Sequence, residues 1–308
     1  MRKVAYHLVD VFTDRAFGGN PLAVFTAGQG LSAPTMQRLA KELNLSESNF
    51  VWPPQDPNND FQVRIFTPAV ELPMAGHPTI GTAFVLAQEQ LIKAEGSQVT
   101  VRFEEGVGVI PVTLTFEESL PTSIEMRQPL PTFGARFTDV ALLAEMLSLD
   151  VTALDESLPF EVISCGVPFL FIPLKSLTAL QNIQFRREVW QRNLADFEAS
   201  GILVFTQEVE RAGSTVHCRM FGPALGVLED PATGSASGPL GCYLVRYGLL
   251  TPAKVLEIVS EQGFEMGRPS FIRVRIEQED GQITGVYVGG ECYYMGQGFF
   301  ILDDDQES

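Results

Sequence analysis

Arg64-Ile65-Phe66-Thr67-Pro68-Ala69 returns as Arg219-Met220-Phe221-Gly222-Pro223-Ala224, 155 positions later in a chain of 308 residues. Each copy runs on through an acidic residue to a small glycine turn and an apolar, helix-like stretch. In the first half this is Glu71, Ala75-Gly76-His77-Pro78, then Thr79 to Leu86. In the second it is Glu229-Asp230, Thr233-Gly234-Ser235, then Ala236 to Val245. Gly76 and Gly234 stand 158 apart, so the second copy carries three extra residues. Gly19-Asn20-Pro21 and Gly166-Val167-Pro168 make a fainter pair. Short repeats build solenoids; a repeat of half the chain predicts two similar lobes. Two facing lobes make a cleft, and such clefts favour small molecules.

The two stretches after the glycine turns read as buried helices. Thr79 to Ala87 has almost no polar face, and Gly234 to Val245 is apolar and rich in small residues. A helix that is apolar all round belongs inside. Around them the pattern predicts many short strands, at 4–12, 22–26, 50–52, 61–66, 99–103, 107–111 and 112–116 in the first half. The second half follows with 161–165, 168–174, 202–206, 215–221, 271–276, 283–288 and 299–302. Further helices are expected at 32–43, where Ser32 is a suitable cap, and near 184–195. The expected class is α+β: two pseudo-symmetric lobes, each a curled sheet or barrel around a central helix. Proline density rises at Pro129–Pro131. This sets an N-terminal lobe at 1–128, to which the C-terminal strand is free to return, and a C-terminal lobe at 129–308.

Composition narrows the function. The net charge is −17, which disfavours nucleic acid, because affinity for phosphates rests on Lys and Arg. The acidic tail Asp303–Ser308 is expected to be solvated and frayed. No apolar run approaches the roughly 18 residues of a membrane helix. The apolar run near the N-terminus is too short and too acidic for a signal peptide, so a cytoplasmic chain is expected. The four cysteines, Cys165, Cys218, Cys242 and Cys292, form no C-x-x-C pair and read as idle thiols.

Chemistry is expected at the glycine turns. The first N–H groups of a helix lack internal partners and sit at the positive end of its dipole. Gly76 and Gly234 let a ligand reach bare backbone there, so both turns are candidate sites for a carboxylate. His77 sits in the first of them, where the dipole favours a neutral ring. The three histidines are scattered and no H-E-x-x-H occurs, which argues against a metal. Gly106-Val107-Gly108 lacks the third glycine of a nucleotide loop. Two carboxylates stand out: Glu47 within Asn44-Leu45-Ser46-Glu47-Ser48-Asn49-Phe50, and Asp230 just ahead of the second turn. A carboxylate that loses hydration can act as both acid and base near neutrality. From the residues alone, either is equally a surface acid.

Asn44-Leu45-Ser46-Glu47-Ser48, Ile65-Phe66-Thr67-Pro68, Glu71 to Thr79 and Glu229 to Ala236 together resemble the PhzF-like family of phenazine-biosynthesis isomerases. Asp10-Val11-Phe12, Gly19-Asn20-Pro21 and Gly267-Arg268-Pro269-Ser270 extend the likeness over nearly the whole chain. The resemblance implies the two-lobed diaminopimelate epimerase-like fold. It implies Glu47 as general acid/base, with His77 and Asp230 as the other polar site residues. Gly76, Gly234 and Ser235 would hold the substrate. It also implies a homodimer and a reaction without cofactor or metal: a proton moved on a small cyclic carboxylate, with a double-bond shift, as in trans-2,3-dihydro-3-hydroxyanthranilate isomerase. Related epimerases use two cysteine bases, but Ala75 and Thr233 flank the glycines here. Two alternatives stay open: an isomerase or epimerase of another amino-acid-derived carboxylate, and a non-catalytic metabolite-binding protein.

Overall fold

The computed structural model describes residues 1–94 and 96–303, so the tail beyond Asp303 lies outside the described residues. The chain forms two compact units, Met1–Arg127 with Gly289–Ser308, and Gln128–Val288.

The first unit runs β1 (Arg2–Val11), β2 (Asn20–Phe25), α1 (Ala33–Leu43), β3 (Glu47–Trp52), β4 (Phe61–Phe66), β5 (Glu71–Leu72), α2 (Gly76–Gln88), β6 (Gln98–Glu105), β7 (Gly108–Glu117) and β8 (Leu120–Gln128). The second unit runs β9 (Thr132–Phe137), α3 (Val140–Leu147), β10 (Phe160–Ser164), β11 (Pro168–Pro173), α4 (Leu177–Gln181) and α5 (Arg187–Asn193). It continues with β12 (Gly201–Thr206), β13 (Val216–Gly222), β14 (Val227–Asp230), α6 (Gly234–Arg246), β15 (Val255–Gln262), β16 (Ser270–Glu279) and β17 (Gln282–Gly290). The last strand, β18 (Cys292–Leu302), pairs antiparallel with β1 from Arg2↔Leu302 to Val11↔Cys292, so the chain end completes the first unit.

The repeat read in the sequence is a repeat of topology. In the first unit β1–β2 is antiparallel, β2–β3 parallel, β3–β4 antiparallel, β4–β6 parallel and β6–β7 antiparallel. In the second unit β10–β11, β11–β12, β12–β13, β13–β15 and β15–β16 repeat that order of directions. The partner of β10 on its other side is β9, as β18 is for β1. Each unit wraps its strands around one helix. Residues Gly76 to Ala87 of α2 are all buried, and the helix packs on β1, β2, β3 and β7. The helix α6 packs on β10, β11 and β16. Close approach demands glycine at Gly81, where a Cβ would fall 2.6 Å from Leu22 Cδ2 and 2.7 Å from Val11 Cγ2.

The strand expected to break at Pro111 does not break. The strand β7 runs through it, with Pro111 opposite Arg102 of β6. Seven elements escaped the pattern: β5, β8, β9, α3, α4, β14 and β15. Of these, α3 carries a legible start, since Asp139 caps it by accepting from Leu142 N at 3.0 Å.

Candidate active site

In the first unit the site begins with how α1 ends. Asn44 adopts the left-handed conformation (φ 51°) and donates its N–H to Ala40 O at 3.0 Å. Asn tolerates that conformation better than most residues. The chain turns at once, and Glu47 becomes the first residue of β3, opposite Leu22 of β2. Two residues on, the buried Asn49 donates to Pro78 O at 2.9 Å and to Thr82 Oγ1 at 2.8 Å. Asn49 therefore fastens the strand of Glu47 to the first turns of α2.

That fastening brings His77 to Glu47. His77 Nε2 lies 3.1 Å from Glu47 Oε2, with side-chain exposures of 6% and 13%. The two atoms make no aligned hydrogen bond, so this is a close polar approach. Burial lowers the His77 pKa to about 3, so the ring is neutral. Glu47 thus faces a neutral imidazole, which stabilises a carboxylate only as a hydrogen-bond donor. Gly76 is the first residue of α2 and is buried. The N-cap Ala75 has no side chain able to cap the helix. The first-turn amides thus have no competing cap, the arrangement that suits a carboxylate.

In the second unit Asp230 ends β14 and is 7% exposed. Thr233 Oγ1 donates to Asp230 Oδ2 at 2.5 Å. Gln262 holds both residues: its Nε2 donates to Asp230 O at 2.6 Å and to Thr233 Oγ1 at 3.1 Å, and its Oε1 accepts from Thr233 N at 3.2 Å. Gly234 begins α6, and its carbonyl accepts from Gln128 Nε2 at 3.0 Å. Ser235 follows, half-buried, in the first turn. The structure thus joins Glu47 with His77 in the first unit. It joins Asp230, Gly234 and Ser235 around one turn in the second.

Asn49, Gln128 and Gln262 were missed in the sequence. A signal existed for the last. Glu104-Glu105-Gly106 and Glu261-Gln262-Gly263 are a second repeated motif, 157 residues apart. The other histidines are engaged elsewhere. His7 Nδ1 is 3.0 Å from Tyr294 Oη, and His217 lies between Glu261 at 2.8 Å and Glu265 at 3.0 Å. All four cysteines are free. Burial pushes the Cys218 thiol up to about 12, and Cys292 is raised by the same cause. Cys242 is raised chiefly by its contact with Cys165. None of the four flanks Gly76 or Gly234 in the chain. Among the described residues no group of three or more His, Cys, Asp or Glu stands where it could hold a metal ion.

Residues 9–298 match the family described as phenazine biosynthesis-like protein. The chain is 37% identical, over 96% of its length and 99% of the relative's, to a trans-2,3-dihydro-3-hydroxyanthranilate isomerase of Pseudomonas chlororaphis. Among solved structures it resembles a PhzF-family phenazine biosynthesis protein of Bacillus anthracis, with a TM-score of 0.89, 27% identity and coverage of 98% and 100% of the two chains. A probable proline racemase from Agrobacterium radiobacter shares the fold at a TM-score of 0.66 and 11% identity, covering 97% and 93%. The fold is the diaminopimelate epimerase-like α+β fold. The chain belongs to the phenazine biosynthesis-like family and is an isomerase of its PhzF type.

Proposed function

We propose that this isomerase moves a proton, with a double-bond shift, on a small cyclic carboxylate similar to trans-2,3-dihydro-3-hydroxyanthranilate. The observation that carries this is the Glu47–His77 approach of 3.1 Å at the start of a buried helix. The Glu47 carboxylate takes a proton from a ring carbon next to the diene. The electron pair shifts along the conjugated system, and the Glu47 carboxylic acid returns the proton at another ring carbon. No electrons leave the substrate and no atom is added to it, so the step itself calls for no cofactor.

His77 stays neutral and positions Glu47 or a polar substituent of the substrate. The substrate carboxylate binds at helix-start amides, for which Gly76 and Gly234 are the candidates. Asp230 and Ser235 hold the hydroxyl or amino group. Acid–base transfer of this kind supplies roughly a hundredfold to ten-thousandfold, and positioning supplies the rest. What supports the substrate class is the 37% identity to the Pseudomonas isomerase over nearly the whole chain. We further propose a cytoplasmic homodimer, on family likeness. The test is turnover of the dihydro-hydroxyanthranilate in deuterated water by wild type and Glu47→Gln, read as deuterium in the product. Turnover by metal-stripped, colourless wild type is also expected. Activity that vanishes on chelation and returns only with a metal contradicts the mechanism.

A further inference from the structure

Glu105, the last residue of β6, has no part in the reaction described so far, yet it is only 8% exposed. Its neighbour is Thr79, in the first turns of α2. Thr79 Oγ1 lies 2.7 Å from Ala75 O and 2.5 Å from Glu105 Oε1. A threonine hydroxyl has one proton to give. The Ala75 carbonyl only accepts, and an ionised Glu105 would also only accept. One of the two short contacts would then set lone pair against lone pair. A protonated Glu105 removes the conflict: the acid O–H donates to Thr79 Oγ1, and Thr79 donates to Ala75 O. The other carboxyl oxygen, Oε2, is buried without a hydrogen-bond partner. An unpartnered neutral carbonyl is tolerable there, whereas an unpartnered charge is costly.

The second unit supports the same accounting. Gln262, the counterpart of Glu105 in the Glx-Gly repeat, also ends its strand and also serves a helix start. Its amide donates to Thr233 Oγ1, while Ser237 Oγ donates to Thr233 O at 2.9 Å, as Thr79 does to Ala75 O. With Glu105 protonated, both units would fasten the central helix through a neutral donor, but only the first through one that can ionise. Burial raises the Glu105 carboxyl to about 8, against the opposing pull of the Thr79 hydrogen bond.

The charged groups on the surrounding elements are paired elsewhere or lie away from Glu105, as the exposed Arg102 does on the opposite face of β6. On β4 and β5, Arg64 pairs with Glu71. On β6 itself, Glu104 accepts from Gln55 N, Asp56 N and Asn59 Nδ2. On β7 the only charged residue is Glu117, at its far end, and on α2 the only titratable residue is His77, which faces Glu47.

We propose that Glu105 is a positioning residue for the isomerase reaction: as a neutral acid it fastens, through Thr79 and Ala75, the first turn of α2 that presents His77 to Glu47. The proposal rests on the Glu47–His77 assignment above. Its test has two readouts. The first is the infrared carbonyl band of a protonated carboxyl at pH 6.5, assigned by its loss in Glu105→Gln. The band is expected to vanish as pH rises through about 8. The second is the pH profile of kcat. Wild type is expected to lose activity above the same pH. Glu105→Gln, which keeps a neutral donor as Gln262 does, is expected to stay active and to lack this alkaline decline. Glu105→Leu should lower kcat about tenfold to a hundredfold at every pH.

Should Glu105→Leu fail to fold, Glu105→Gln still decides. Its stability relative to wild type should rise between pH 4.5 and about 8, where only the unfolded wild-type carboxyl ionises. Absence of the band at pH 6.5, or an alkaline decline unchanged in Glu105→Gln, overturns the proposal. So does a folded Glu105→Gln without activity. Full turnover by Glu47→Gln would instead overturn the assignment of the site, while the infrared band still reports the state of Glu105.

Discussion

Burial is what separates His77 from an ordinary histidine. With its pKa lowered to about 3, His77 is uncharged at neutral and mildly acidic pH. The pH profile of kcat should therefore show no step near 6.5 that disappears in His77→Gln. The sign for stability follows from a depressed pKa. The unfolded chain takes up a proton at His77 below about 6.5 and the folded chain does not, so stability falls as pH drops from there towards 3. Denaturant unfolding of wild type and His77→Gln at pH 4 and pH 7 checks this. The variant should lose less stability on acidification. Glu47, His77 and Asp230 could be proposed from the sequence because they sit in compact motifs. Asn49 was not. It lies in the same quoted stretch, but its worth comes from Pro78 O and Thr82 Oγ1, about thirty residues away in the chain. Nothing local in the sequence announces that pairing.

At the scale of elements, the repeated arginine explains why the two units share a motif. Arg64 donates from Nε and Nη2 to Glu71 at 2.7 and 2.8 Å, and Arg219 donates from the same atoms to Glu229 at 2.8 and 2.9 Å. Each pair holds a hairpin arm, β5 or β14, ahead of its central helix. The surroundings differ. The first pair is 26% and 42% exposed, the second 9% and 18%. Arg219 also donates to Leu180 O and Ile183 O, each at 3.1 Å. Arg64→Ala should therefore cost at most about 1 kcal/mol. Arg219→Ala should cost about 3–5 kcal/mol, since it strands a shielded Glu229 and two carbonyls. Equal losses in urea unfolding would contradict this reading of the repeat.

The strand β15 shows why some elements escaped the sequence pattern. Its outer end exposes Val255, and its inner end buries Ser260, Glu261 and Gln262, so its polarity runs opposite to the usual rule. Those buried polar groups are not idle. Glu261 and Glu265 hold His217, and although burial opposes charge there, the two hydrogen bonds win and raise His217 to about 9. A raised pKa stabilises fully below the ordinary histidine value and is lost as pH climbs from about 6.5 to 9. Replacing His217 with Gln should remove that part of the alkaline loss of stability, measured by denaturant unfolding at pH 6 and pH 9.

For the whole molecule, the half-chain repeat made two similar lobes legible. The path of the chain end was harder to read, because strand pairing between residues nearly 300 apart leaves no local trace. Pairing along all of β1 implies that β18 is integral to the first unit. Truncation after Val288 should therefore unfold that unit. A truncated protein with native-like circular dichroism and cooperative melting would contradict this. The central claim is that one carboxylate, Glu47, moves one proton on a small carboxylate. The most direct measurement is turnover of trans-2,3-dihydro-3-hydroxyanthranilate in deuterated water, with the product examined by mass and NMR. Wild type should give product labelled at the carbon that receives the proton, and Glu47→Gln should stay folded while turnover falls by at least about a hundredfold. Undiminished turnover in a folded Glu47→Gln would contradict the account.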